Sequence, residues 1–218
     1  MKHTIAFLLL AVTVNGADTH NFARWEKDIA AFEAADKTNP PPQNAILFLG
    51  SSGFRRWTTL AQDFPNHRVI NRAFGGSQIA DSTHFAERII FPYKPKMIVM
   101  RAGSNDLKAG KSSEQVADDF KAFVAKIHKR LPQTEIIYVS MNPTPARWNQ
   151  HDREVAANTA IAAFAKEAPR VKYIETHDYY LGPDGQPRAD LTVADKLHFN
   201  AEGYKILTKL IRPYLPKD

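Results

Sequence analysis

The chain has 218 residues and a formal net charge of +6 at pH 7, with its lysines and arginines scattered rather than gathered into runs. That length suits one α/β domain with a sizeable core, and dispersed charge without interleaved aromatics reads as a solvated surface, which argues against a nucleic-acid partner. Cysteine is absent, which excludes disulfides and thiolate metal sites, and nothing repeats at solenoid periods.

The first residues read as an export signal. Lys2 supplies a positive start, Thr4 to Val14 is an apolar run too short to span a bilayer, and Val14-Asn15-Gly16-Ala17 offers small residues for cleavage. The alternative is a buried first strand or helix. The reading gives a signal peptide over residues 1–17 and a domain over 18–218 that is exported, to a periplasm or beyond the cell. Lack of cysteine does not oppose this, because a core of this size needs no covalent staple. No later run is apolar enough to span a membrane.

From Asn21 to about Thr38, Phe22, Trp25, Ile29 and Phe32 fall on one helical face that stops before "NPPPQN". Short β-rich apolar runs then alternate with helical segments. The strands are expected at 45–50, 69–74, 96–103, 135–141 and 171–176. The helices are expected at about 79–90, 113–130 and 152–167, with a last one from Ala201 to about Tyr214. Ser112 and Gln115 have capping-box spacing before the second of these. Such alternation predicts right-handed crossovers and one doubly wound parallel sheet, whose ligands bind beyond the carboxyl ends of the strands.

Small polar residues collect at those ends. The first strand runs into Gly50-Ser51-Ser52-Gly53, the second into "FGGSQ" with Gly75 and Gly76, and the third into Gly103-Ser104-Asn105-Asp106. Singly, each is an ordinary turn or cap. Together with "DKLHFN" at 195–200 they match what acyl transfer needs. Ser52 can serve as nucleophile, His198 as its base and Asp195 as the carboxylate that orients the ring. The backbone N–H groups of Ser52 and Gly76 and the side-chain amide of Asn105 can hold an oxyanion, and glycine at 76 lets the backbone approach a substrate.

At these residues the sequence resembles the SGNH hydrolases, also called GDSL-type esterases. Their four blocks occur in order as "FLGSSGFRRW", "VINRAFGGSQIAD", "RAGSND" and "DKLHFNAEGY", from about Ala45 to Tyr204. The resemblance implies a flavodoxin-like five-stranded sheet of order 2-1-3-4-5 with helices on both faces. It implies a serine ester hydrolase of carboxylesterase, lipase or carbohydrate deacetylase type, with Ser52, Asp195 and His198 as triad and Ser52, Gly76 and Asn105 as oxyanion donors. The substrate would be a small-molecule, lipid or carbohydrate ester, and neither cofactor nor metal is implied. Two departures stand out. Ser51 replaces the aspartate of Gly-Asp-Ser and is itself a rival nucleophile, and Arg101 ends the third strand either buried with a partner or lining the pocket.

Other readings fit fewer residues. The G-x-S-x-G elbow of α/β-hydrolases fails because Gly53 comes one position early and Phe54 stands at the glycine site. "AGKSS" lacks the P-loop glycine at 105. A metal site on Asp195, His198, His177 and Asp178 has no H-E-x-x-H helix and leaves the serine and glycine blocks unexplained. An O-acyltransferase, or a carbohydrate- or lipid-binding module on the same fold, remains open, and Arg147 and Trp148 in "NPTPARW" are equally open between pocket rim, surface and core. The signal reading predicts that protein purified from its natural source begins near Ala17 or Asp18. N-terminal sequencing that returns Met1 from the cell's soluble interior would overturn it.

Overall fold

In the computed structural model, residues 20–216 are described, so the leader expected over residues 1–17 lies outside the described residues. In chain order the elements are α1 (Glu26–Thr38), β1 (Ile46–Gly50), α2 (Ser52–Arg55), α3 (Leu60–Asp63), β2 (Val69–Asn71), α4 (Ile79–His84) and α5 (Ala86–Ile89). They continue with β3 (Met97–Arg101), α6 (Ser104–Lys108), α7 (Ser113–Arg130), β4 (Glu135–Val139), α8 (His151–Glu167), β5 (Val171–Ile174) and α9 (Ala201–Ile211). The strands form one parallel sheet of order β2-β1-β3-β4-β5.

Alternation along each strand divides the core into two layers, since successive side chains leave opposite faces of a sheet. On one face Leu47, Leu49, Ile98, Met100, Ile136 and Tyr138 pack with buried residues of α1, α4, α5, α7 and α8. On the other, Ile46, Phe48, Met97, Val99, Ile137 and Val139 meet Phe54, Trp57, Leu60 and Phe64 around α2 and α3, and Tyr204, Leu207 and Ile211 of α9. The central strands are apolar on both faces because helices cover both. Phe48 alone touches three rings of the second layer, with centroids 5.4 Å from Phe54, 6.0 Å from Trp57 and 5.6 Å from Phe64.

The helix expected at 113–130 forms with its capping box, in which the Ser112 hydroxyl accepts from the Gln115 N–H and the Gln115 side chain accepts from the Ser112 N–H. Three expectations change. The second strand stops at Asn71 rather than Phe74, because the Asn71 side chain turns back to accept the Ala73 N–H and donate to the Phe54 carbonyl. The helix expected at 79–90 is two short helices, α4 and α5, that meet at Phe85, whose ψ of 8° leaves the helical region while its ring is buried. The last helix ends at Ile211 and gives way to a 3-10 turn over Arg212–Tyr214 that holds Pro213. Among the described residues no helix is long and apolar enough to cross a membrane.

The carboxyl ends of β1, β2 and β3 lie side by side, and their approach depends on Gly50. Its φ is +136°, and a Cβ there would sit 2.1 Å from the Arg101 carbonyl oxygen of β3. Gly50→Ala is expected to destabilise the protein by about 3 kcal/mol, which lowers the melting temperature by roughly 10 °C in a chain of this size. A thermal melt that coincides with the wild type would refute the clash.

Candidate active site

The residues singled out at the strand ends converge at this carboxyl edge. Ser52 is the first residue of α2, so its N–H has no acceptor within the helix. Its hydroxyl lies 2.8 Å from His198 Nε2, and His198 Nδ1 lies 2.7 Å from Asp195 Oδ2. A proton on Nδ1 facing the carboxylate leaves Nε2 as acceptor for the Ser52 hydroxyl. Ser51, the rival nucleophile, instead precedes α2, and its carbonyl accepts the Phe54 and Arg55 N–H groups.

The stretch from Asp195 to Asn200 does two things at once. Lys196 takes a left-handed φ of +55°, which folds Asp195 back so that Oδ1 accepts the N–H groups of Leu197 and His198 at 3.0 and 2.9 Å. Asn200 then caps α9 by accepting the Gly203 N–H at 3.1 Å. Partial burial alone would raise the Asp195 pKa. The His198 N–H, its ring and the Leu197 N–H outweigh that and hold the carboxyl well below the usual carboxylate range. Arg56 also reaches Asp195 Oδ2 at 3.2 Å, an exposed contact that adds little.

The oxyanion candidates stand beside the serine. Gly76 has a φ of +78°, a left-handed conformation that favours glycine, in addition to the open approach expected from the sequence. Asn105, at the start of α6, is held at both ends of its amide. Nδ2 donates to the Ser77 carbonyl at 3.0 Å, and Oδ1 accepts from Arg147 Nη2 at 2.7 Å. A carbonyl at one end and a guanidinium at the other permit only one amide orientation, and one Nδ2 hydrogen remains for the cleft. Asp106, fully buried, accepts the Ile79 N–H and meets Lys111 Nζ at 2.9 Å, which ties the Asn105 segment to the segment that follows Gly76. Burial pushes its carboxyl up to about 6 against the pull of Lys111.

Arg101 is half-buried, with a partner in Asn142, and it also lines a small space shared with Ser52, Asn105 and His198. Its guanidinium runs under α2, donates to Asn142 Oδ1 and lies 5.1 Å from the Phe199 ring centre. A Cβ at Gly53 would stand 2.2 Å from Arg101 Nη1, which explains the glycine after the serine. Burial pushes the guanidinium below its usual range, and its Nε is sealed without a partner. The Tyr204 hydroxyl donates to the Gly53 carbonyl at 2.8 Å and so fastens α9 to the same turn.

Arg147, left open by the sequence, lines the cleft with Ser52, Gly76, Asn105 and His198, a space of about 1070 Å³. It donates to the Ser104 hydroxyl at 3.0 Å as well as to Asn105, and Ser104 in turn donates to the buried Glu154, which also accepts from Gln150. Trp148 turns to the His151 ring instead, 4.1 Å between centres. No spacing announces the Arg147 contact, because 42 positions separate it from Asn105. His177 pairs with Asp178 and His151, and among the described residues no group of three or more histidines, cysteines or carboxylates could hold a metal ion.

Residues 48–206 match a family model described as the GDSL-like Lipase/Acylhydrolase family. The platelet-activating factor acetylhydrolase IB subunit alpha1 of Bos taurus is 24% identical over 210 residues, spanning 91% of this chain and 85% of that protein. Its Homo sapiens counterpart is 25% identical over 213 residues with the same spans. A solved GDSL-like lipase from Bacteroides thetaiotaomicron shares the fold with a TM-score of 0.69 at 18% identity, over 89% of this chain and 96% of that one.

The lowered pKa of Asp195 predicts a pH-dependent stability. A carboxylate held below its unfolded value stabilises the fold above about pH 4 and loses that contribution as the pH falls further. Asp195→Asn should therefore melt below the wild type at neutral pH, and the gap should narrow toward about pH 3. Thermal melts across that range check it, and a gap that widens on acidification would contradict it.

Proposed function

This chain belongs to the GDSL-like lipase/acylhydrolase family and is an ester-hydrolysing enzyme, and we propose that it cleaves its ester through a covalent acyl-enzyme on Ser52. The observation that carries this reading is the unbroken chain of hydrogen bonds from Ser52 Oγ to His198 Nε2 and from His198 Nδ1 to Asp195 Oδ2. His198 takes the Ser52 proton as Oγ attacks the carbonyl carbon, and Asp195 stabilises the imidazolium that results. The negative charge on the former carbonyl oxygen is met by the N–H groups of Ser52 and Gly76 and by the remaining Nδ2 hydrogen of Asn105. The C–O bond to the alcohol then breaks, and the alcohol leaves with the proton from His198. Water repeats the sequence on the acyl-enzyme and releases the acid.

Arg147 contributes in this reading by orienting Asn105, so that no reorganisation of the amide is needed as charge develops. The names of the bovine and human relatives support a short acyl group. The export signal expected from the sequence over residues 1–17 favours action outside the cytoplasm.

Ser52→Ala is expected to abolish both ester hydrolysis and covalent labelling by a fluorophosphonate, whereas Ser51→Ala should keep both. Asn105→Ala should slow single-turnover acylation by roughly a hundred- to a thousandfold with little change in substrate affinity. Asn105→Asp should be at least as slow, and it should also melt lower, because a carboxylate oxygen replaces the donor to the Ser77 carbonyl. Near-normal acylation by Asn105→Asp would remove Asn105 from the oxyanion site.

A further inference from the structure

The charge of the cleft is one-sided. Arg24, Arg55, Arg56, Lys108 and Arg147 all line it, and no aspartate or glutamate does. Two of the five are engaged locally, since Arg56 reaches Asp195 and Arg147 holds Asn105 and Ser104. Of the others, Arg55 has only a partly exposed carboxylate partner, and Arg24 has none among the described residues. Arg55 lies 3.6 Å from Asp28 in an exposed pair, and the Arg24 guanidinium lies 5.0 Å from the ring centre of Trp25, an uncharged partner. Among the described residues no ion pair engages Lys108.

Position makes the first two informative. Arg24 comes from the 3-10 turn that precedes α1, and Arg55 from the end of α2. Their guanidinium groups nevertheless meet over the same glycine pair. Arg55 Nη1 lies 2.7 Å from where a Cβ on Gly75 would stand, and Arg24 Nη2 lies 3.6 Å from the corresponding point on Gly76. Asp28 meets Arg55 through an exposed contact that contributes little, so most of the positive charge gathered over this turn is left to face the cleft. Guanidinium forks match the geometry of carboxylate, phosphate and sulfate oxygens, and a concave setting focuses their field.

We propose that this cleft selects esters that carry a second, anionic group, bound by Arg24 and Arg55 beside Gly75–Gly76, with Lys108 adding to the attractive field. The proposal rests on the reading of Ser52 as nucleophile. The anion can belong to the acyl part or to the alcohol part of the ester, and the two are separable by experiment.

Matched substrates test it. 4-Nitrophenyl hexanoate against 4-nitrophenyl hydrogen adipate places the charge on the acyl side, and 2-naphthyl acetate against its 6-sulfonate places it on the leaving group. After correction for reactivity toward hydroxide, kcat/KM at low salt should favour the anionic member of at least one pair by about tenfold. That ratio should fall toward one in about 0.5 M NaCl and in an Arg24→Gln/Arg55→Gln double variant. Calorimetric binding of the same intact esters to Ser52→Ala protein should show the same preference without turnover. Equal binding within both pairs, or a preference that survives in the double variant, would overturn the charge inference. Hydrolysis by Ser52→Ala at the wild-type rate would instead overturn the nucleophile, while the binding ratio would still decide the charge question.

Discussion

The half-buried guanidinium of Arg101 lies where the parts of the molecule that make the candidate site come together. It leaves the end of β3, passes beneath the turn of Ser52 and Gly53, bonds to Asn142 after β4 and lies against Phe199, next to His198. Four stretches of chain therefore share one planar cation. Removing it would leave the buried Asn142 Oδ1 without this donor, a cost of about 1–3 kcal/mol. Burial that lowers the guanidinium's own pKa is the energetic counterpart of this position, and packing against the Phe199 ring offsets part of it. The glycine at 53 follows from the same fact, because the cation occupies the space of a side chain.

A second layer of contacts fixes the donors around the serine. Asn105 is oriented by Ser77 on one side and Arg147 on the other, and the neighbouring Asp106 fixes the N–H of Ile79. The loops after β2 and β3 are thus joined by side chains, not only by the sheet. Ser104, Gln150 and the buried Glu154 extend the brace into α8. Most of the hydrogen bonds these side chains make go to one another, which lowers the cost of a polar cluster beside an apolar core.

The sheet was legible because its cause is local. Runs such as 45–50 and 135–141 can be buried on both faces only inside a parallel sheet, and the structure adds only trimmed ends. That Ser52, His198 and Asp195 stand in hydrogen-bond succession was legible from the four blocks that occur in order along the chain. What stayed hidden is either too short or too distant. α2, α3 and α6 span four or five residues each, less than periodicity can register. Arg147 acts through a partner in another loop, and the break at Phe85 arises from tertiary packing rather than from a proline or glycine. The Arg24–Arg55 convergence depends on two elements whose meeting no one-dimensional pattern announces.

The fastening of α9 to the turn of Gly53 has a consequence for how the protein comes into being. His198 meets Ser52 across 146 positions of chain, and the Tyr204 hydroxyl that braces their meeting reaches Gly53 across 151. A nascent chain can complete all five strands of this sheet, β1 to β5, before His198 is added to meet Ser52. Chain-end contacts of this separation form late, because the loop they close must be ordered first. The hydrogen bond between Ser52 and His198 therefore forms only when the last segment of the chain docks.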